Sequence, residues 1–148
     1  MNPAPLCIEL TRGNSIERFH YVDVAVADLS GKKILAWGDC EKLVLPRSAI
    51  KPLQALPLIE TGAAEAFHLS EIEIALACSS HNGEKLHVEA VENWLSKVGC
   101  SPDDLACGQH DPMDFNLVKE EMLHGDYLKV AANNCSGKHT GFLTVMRH

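Results

Sequence analysis

Lysine and arginine never gather into a basic block in this sequence. Its 13 basic residues are scattered among 20 acidic ones, for a net charge of −7. The absence of a basic stripe argues against a surface built for nucleic acid. An anionic surface of this kind serves solubility and says little about substrate. No stretch approaches the roughly 20 consecutive apolar residues that span a bilayer. The first ten residues, MNPAPLCIEL, lack the basic start and long apolar run of a secretory signal. A cytoplasmic protein with no membrane partner is therefore expected. Six cysteines (Cys7, Cys40, Cys78, Cys100, Cys107 and Cys135) show none of the spacing of a small disulfide scaffold. In a reducing compartment they are expected as free thiols, with metal ligation the exception to look for. Internal repeats, low-complexity segments and obvious linkers are also missing.

What is present is the composition of a globular domain: 148 residues, 46% apolar and 22% charged. That length supports a real hydrophobic core in one domain. Residues 6–11 and 20–28 alternate or run apolar with β-branched residues, which predicts strands. Ser30-Gly31-Lys32 supplies turn chemistry, so 34–37 should return as a hairpin arm. From Ser48 to about Ile59 apolar residues lie on every side, predicting a helix buried all round. Pro52 sits near its first turn, and Pro57 should kink or loosen its later part. Val88, Val91, Leu95 and Val98 form one stripe of a second helix that Gly99 is placed to stop. Residues 74–78 fit a short buried strand or helix, and periodicity does not decide between them. A helix is expected over Asp114–His124, and another from Ser136 after a turn at Asn133-Asn134. The sequence stops at His148 inside an apolar, helix-like run, which reads as a truncation. Strands followed by helices indicate an α+β class, or a layered αβα domain with an antiparallel sheet.

Three short segments carry possible chemistry. In Arg47-Ser48-Ala49-Ile50-Lys51-Pro52, Ser48 and Lys51 are spaced to share a helix face. A helix start offers unpaired N–H groups where an oxyanion forms. Desolvation on an apolar helix favours a neutral amine, which can take the proton of a serine hydroxyl. The plain alternative is a serine N-cap beside a solvated lysine. In Cys78-Ser79-Ser80-His81-Asn82-Gly83 an apolar segment ends abruptly in small polar residues. Ser80 is either a second nucleophile or a hydrogen-bonding group, with His81 its possible partner, or the segment is a turn into the next helix. In Asn133-Asn134-Cys135-Ser136-Gly137-Lys138-His139, the Gly-Lys pair suggests a phosphate loop. A Walker loop, however, needs glycine where Ala132 stands and Ser or Thr where His139 stands. Cys135 pairs with Lys138 at i, i+3 and with His139 at i, i+4. A thiolate and a nitrogen suit zinc but do not complete its usual four ligands, and lysine must lose a proton to bind. The alternative is a capped helix start with a buried thiol.

Taken together and in this order, R-S-x-x-K-P-x-Q (Arg47 to Gln54), C-S-S-H-N-G and N-N-C-S-G-K-H resemble the Rhizobium etli-type inducible L-asparaginases. The resemblance runs from the first strands to the last residue, and it implies the serine β-lactamase and penicillin-binding protein-like αβα fold. On that resemblance, residues 1–148 are the N-terminal part of a single asparaginase domain. Ser48 and Lys51 form a Ser–Lys pair, with Ser48 attacking the side-chain amide of L-asparagine. Ser80 belongs to a second pair whose lysine lies later in the longer family members. Cys135 and Lys138 hold zinc, completed by a later cysteine and water, and the metal shapes the pocket rather than making the attack. Arg47, His81, Asn134 and His139 are assigned to positioning substrate. A homodimer is implied for the full-length form, and the isolated segment is expected to be inactive. Competing readings are a glutaminase or another β-lactamase-like serine hydrolase, and a non-catalytic truncated module.

Overall fold

The computed structural model describes residues 3–110, 118–119 and 129–148. The chain divides into two compact units, Met1–Leu45 and Pro46–His148. The mixture of helix with small antiparallel sheets is the expected α+β class.

The first unit is two hairpins. Strands β1 (Leu6–Arg12) and β2 (Ser15–Val22) pair antiparallel with a register shift at Leu10/Thr11. Strands β3 (Val24–Ala27) and β4 (Lys33–Trp37) pair likewise. The expected strand over 20–28 is thus split at Asp23, whose carboxylate accepts the Asp39 N–H at 2.9 Å. The predicted turn forms around Asp28. Its Oδ1 accepts the Ser30 N–H at 2.9 Å, the Ser30 hydroxyl at 2.6 Å and the Lys32 N–H at 3.0 Å. These bonds, led by the Ser30 hydroxyl, hold the Asp28 carboxyl below its usual range.

The second unit is helical. A 3-10 turn (Arg47–Ile50) runs into α1 (Lys51–Glu60), followed by α2 (Ala63–Ala66), α3 (Glu71–Cys78), α4 (Lys85–Lys97) and α5 (Ser136–Arg147). Residues 74–78, ambiguous by pattern, are helical because a capping box starts α3 upstream of them. The Ser70 hydroxyl accepts the Glu73 N–H while Glu73 accepts the Ser70 N–H at 2.6 Å. Helix α1 corrects the expectation of burial all round: Lys51, Ala55 and Leu58 are buried, whereas Leu53, Leu56 and Ile59 are exposed. Leu53, Ala55, Leu56, Leu58 and Ile59 put apolar side chains on more than one face, and composition cannot say which faces find a neighbour. Pro52 takes the first turn and Pro57 is carried inside α1. In α4 the predicted stripe is buried, together with Trp94, and Gly99 at φ +69° ends the helix in the left-handed region.

The core of this unit lies where α5 meets α1, α3 and α4, with Leu58, Ala77, Val91, Trp94 and Leu95 at its centre. Burying a side chain such as Leu95 contributes about 1.5–3 kcal/mol. Helix α5 enters this core with small residues. Ser136, Gly137, Thr140, Gly141 and Thr144 are buried, and the hydroxyls of Thr140 and Thr144 donate to the carbonyls one turn earlier at 2.9 and 2.8 Å. Most of the expected helix over Asp114–His124 lies outside the described residues. No helix among the described residues is long and apolar enough to cross a membrane.

Candidate active site

The three motifs of the sequence meet around one buried amine. Lys51 opens α1 and points inward, only 2% exposed. Its Nζ lies 2.9 Å from the Ser79 carbonyl oxygen, 2.9 Å from Ser80 Oγ and 3.4 Å from the Asn134 carbonyl oxygen. Three oxygens match the three hydrogens of an ammonium. A neutral amine can use the same places by donating to the two carbonyls and accepting the Ser80 hydroxyl proton. Either way, the burial of this polar head is offset by hydrogen bonds from groups far apart in sequence.

Ser80 Oγ in turn lies 3.2 Å from Ser48 Oγ. The order of contacts is therefore Lys51, Ser80, Ser48, and both hydroxyl-bearing residues are exposed above the buried amine. The expected direct Ser48–Lys51 contact is replaced by a bridged one. The reason lies in the local backbone: Ser48 is in the 3-10 turn and Lys51 is the first residue of α1, so the shared face of one regular helix does not apply. Arg47, immediately before Ser48, has φ +48°, a left-handed conformation that costs a non-glycine residue about 1 kcal/mol or more. Backbone strain beside Ser48 is a signal that no sequence pattern carried.

The loop after α3 and the start of α5 are joined by His81. This residue was assigned to substrate contact, yet it is buried, and both ring nitrogens are engaged inside the protein. Nδ1 accepts the Gly83 N–H at 3.1 Å, so in the neutral ring Nε2 carries the hydrogen and donates to Ser136 Oγ at 2.9 Å. The Ser136 hydroxyl passes its own hydrogen to the Ala131 carbonyl at 2.8 Å. The His81 main-chain N–H donates to the Asn134 carbonyl at 3.3 Å, the oxygen that also faces Lys51. Burial, with His87 stacked at 5.0 Å and Lys51 close by, lowers the His81 pKa to about 4. The imidazole is thereby neutral at physiological pH.

Asn134 reaches the centre through its main-chain carbonyl. Its neighbour Asn133, which sequence reasoning treated only as a turn residue, is buried and braces the loop. Its side-chain amide donates to the carbonyls of Cys107 and Gly108 at 3.1 Å each, and its Oδ1 accepts the Cys135 N–H at 2.8 Å. Ser136 was likewise passed over as a helix start. Its signal was present, a serine inside a dense polar motif, but its partner is 55 positions away.

Cys135 and Lys138 stand one turn apart at the start of α5, both half-buried. Lys138 Nζ lies 5.9 Å from the centre of the Phe142 ring. Burial pushes the Cys107 thiol up, and both Cys135 and Lys138 add smaller electrostatic effects on it. His139 meets Phe142 edge-on at 6.0 Å, and burial first, then Lys138 and Lys51, lower its pKa. A thiolate and an amine are acceptable zinc donors in kind, but they are two of a usual four. Among the described residues, no group of three or more His, Cys, Asp or Glu side chains is placed to hold a metal ion.

This geometry can be set against known families. A family model described as L-asparaginase II matches residues 8–148. The chain belongs to the L-asparaginase II family. No curated protein matches it. Membership in the asparaginase family places the chain among hydrolases acting on amides, with asparagine as the small-molecule substrate. The match spans both units and includes all three motifs that converge on Lys51, so the asparaginase-family segment contains the whole cluster.

Proposed function

We propose that this chain supplies the serine–lysine machinery of an L-asparaginase that hydrolyses L-asparagine to L-aspartate and ammonia. The observation that carries the reading is the buried Lys51 amine at 2.9 Å from Ser80 Oγ, with Ser48 Oγ 3.2 Å further along. Ser48 attacks the side-chain amide carbon. Its proton passes to Ser80 Oγ as the Ser80 proton passes to neutral Lys51. Backbone N–H groups at the helix start steady the oxyanion. As the C–N bond breaks, the proton returns from Lys51 through Ser80 to the leaving nitrogen, and ammonia departs. Water then hydrolyses the β-aspartyl ester on Ser48 and regenerates the hydroxyl. Arg47 and His139 are proposed to position substrate.

Zinc belongs to the same proposal. Cys135 and Lys138 would hold it, with the remaining donors supplied from elsewhere, and its chemistry would be to shape and polarise the substrate pocket. A β-lactamase-like layered architecture and a homodimeric full-length form are proposed on the same resemblance, and a cytoplasmic location is proposed on the sequence reading alone. The test is ammonia release from L-asparagine and L-glutamine, by this chain and by a longer parent if one contains it. Ser48→Ala, Ser80→Ala and Lys51→Met should each lower turnover on the order of 10³-fold in whichever form is active. Unchanged turnover in Ser48→Ala, or glutamine preferred over asparagine, would overturn the reading.

A further inference from the structure

We propose that His81 is a positioning residue, whose ring bonds clamp the loop after α3 onto the start of α5 and so hold the two carbonyls that cradle Lys51. The role as written for catalysis rests on the asparaginase reading, but the clamp itself does not. Lys51 finds its carbonyl partners on two separate segments, Ser79 before the loop and Asn134 before α5. Nothing in α1 fixes the distance between them. The His81 ring does, because its two nitrogens point opposite ways: Nδ1 closes the tight turn to Gly83, and Nε2–H reaches Ser136 across to the second segment. The main-chain N–H of the same residue donates to the Asn134 carbonyl, completing a bridge directly beside Lys51. Ser136 is fully buried and is itself anchored to the Ala131 carbonyl, so the far end of the clamp is fixed.

The geometry also says which half of the ring matters. An asparagine side chain places its oxygen near the Nδ1 position and keeps the turn to Gly83, but loses the donor to Ser136. A glutamine reaches further and keeps that donor. Trace acetylation with acetic anhydride, read by mass spectrometry as the ratio of Lys51 to exposed Lys85, reports the cradle with no need for activity. Wild-type Lys51 should be strongly protected. In His81→Asn its relative labelling should rise about tenfold, the loss expected for one buried hydrogen bond. In His81→Gln the rise should stay under about threefold on the same reasoning. Ser136→Ala, a smaller change, removes the acceptor of the Nε2–H together with the hydroxyl's own bond to the Ala131 carbonyl, and should repeat the His81→Asn result. Global loosening would raise labelling of Lys97 in parallel, which separates it from a local effect.

In an active form, His81→Asn should lower kcat about tenfold with KM nearly unchanged, as befits displaced machinery rather than lost substrate binding. Unaltered Lys51 labelling in both His81→Asn and Ser136→Ala overturns the clamp, whatever the kinetics. Labelling that rises as stated in a protein with no asparaginase activity leaves the clamp standing and removes the asparaginase reading alone.

Discussion

Gly137 stands where α5 passes closest to α3, and adding one methyl group there tests how tightly the site is built. A Cβ at this position would lie 2.5 Å from the Leu76 carbonyl oxygen, 2.8 Å from its carbonyl carbon and 2.9 Å from its Cβ. Backbone atoms at the end of a helix cannot step aside as the tip of a side chain can. Replacing glycine by alanine inside a helix ordinarily gains about 1 kcal/mol. Against that, forcing extra volume into a packed interface costs about 1–3 kcal/mol, and overlap with backbone belongs at or above the upper end. The net expectation for Gly137→Ala is a loss of about 2 kcal/mol, and for a unit of this size a fall in Tm of about 8 °C or more. Gly141→Ala is the control. Its Cβ would meet Leu58 Cδ1 at 3.3 Å and Ala77 Cβ at 3.4 Å, contacts that a small shift of the leucine tip relieves. Propensity and crowding should then nearly cancel, leaving the change within about 1 kcal/mol. Thermal unfolding followed by far-UV circular dichroism, at one protein concentration, measures both. A Gly137→Ala protein as stable as the parent refutes the close approach of α3 and α5. Equal losses in the two variants would mean that general crowding, not the Leu76 backbone, decides.

Two further outcomes concern pH. Burial pushes the Glu73 carboxyl up, but the Lys97 ammonium and the N–H and hydroxyl of Ser70 together bring it below its usual value. A depressed carboxylate stabilises the fold above its unfolded pKa and loses that contribution as pH falls through the folded value. Denaturant titrations of Glu73→Gln should therefore show a flatter loss of stability below pH 4.5 than the parent, and an identical slope would contradict the assignment. His81 works in a higher window, since its pKa falls from an ordinary 6.5 to about 4 on folding. The unfolded chain binds the proton first, so stability should decline from about pH 6.5 towards pH 4 and then level off, by at most about 3 kcal/mol. His81→Gln should flatten that limb, and the ring resonance that this substitution removes would disprove the buried neutral ring if it titrated near 6.5 in the folded parent.

Periodicity was sufficient wherever a single face meets the core. The α4 stripe, its glycine stop and the β3–β4 turn at Ser30-Gly31-Lys32 were legible because each depends on neighbours within one or two turns of chain. The presence of three polar motifs was equally legible, and their order carried the resemblance to asparaginases that the family match supports. The start of α3 was legible in principle, as Ser70 and Glu73 have capping-box spacing, but it was overlooked in favour of the apolar run behind it.

Linear order determined which polar motifs this protein carries and, for α4, which side faces inward. Tertiary structure alone decided which of them touch. Ser48 and Lys51 are three positions apart and meet through Ser80, 29 positions beyond Lys51. His81 looked available to a substrate until its partners on both sides were seen, one of them 55 positions away. The glycine that hinted at a phosphate loop is needed because Leu76 occupies the space its side chain would fill. Hydrogen bonds and close packing act over about 3–4 Å and ignore separation along the chain, so no local pattern encodes them until the helices are packed.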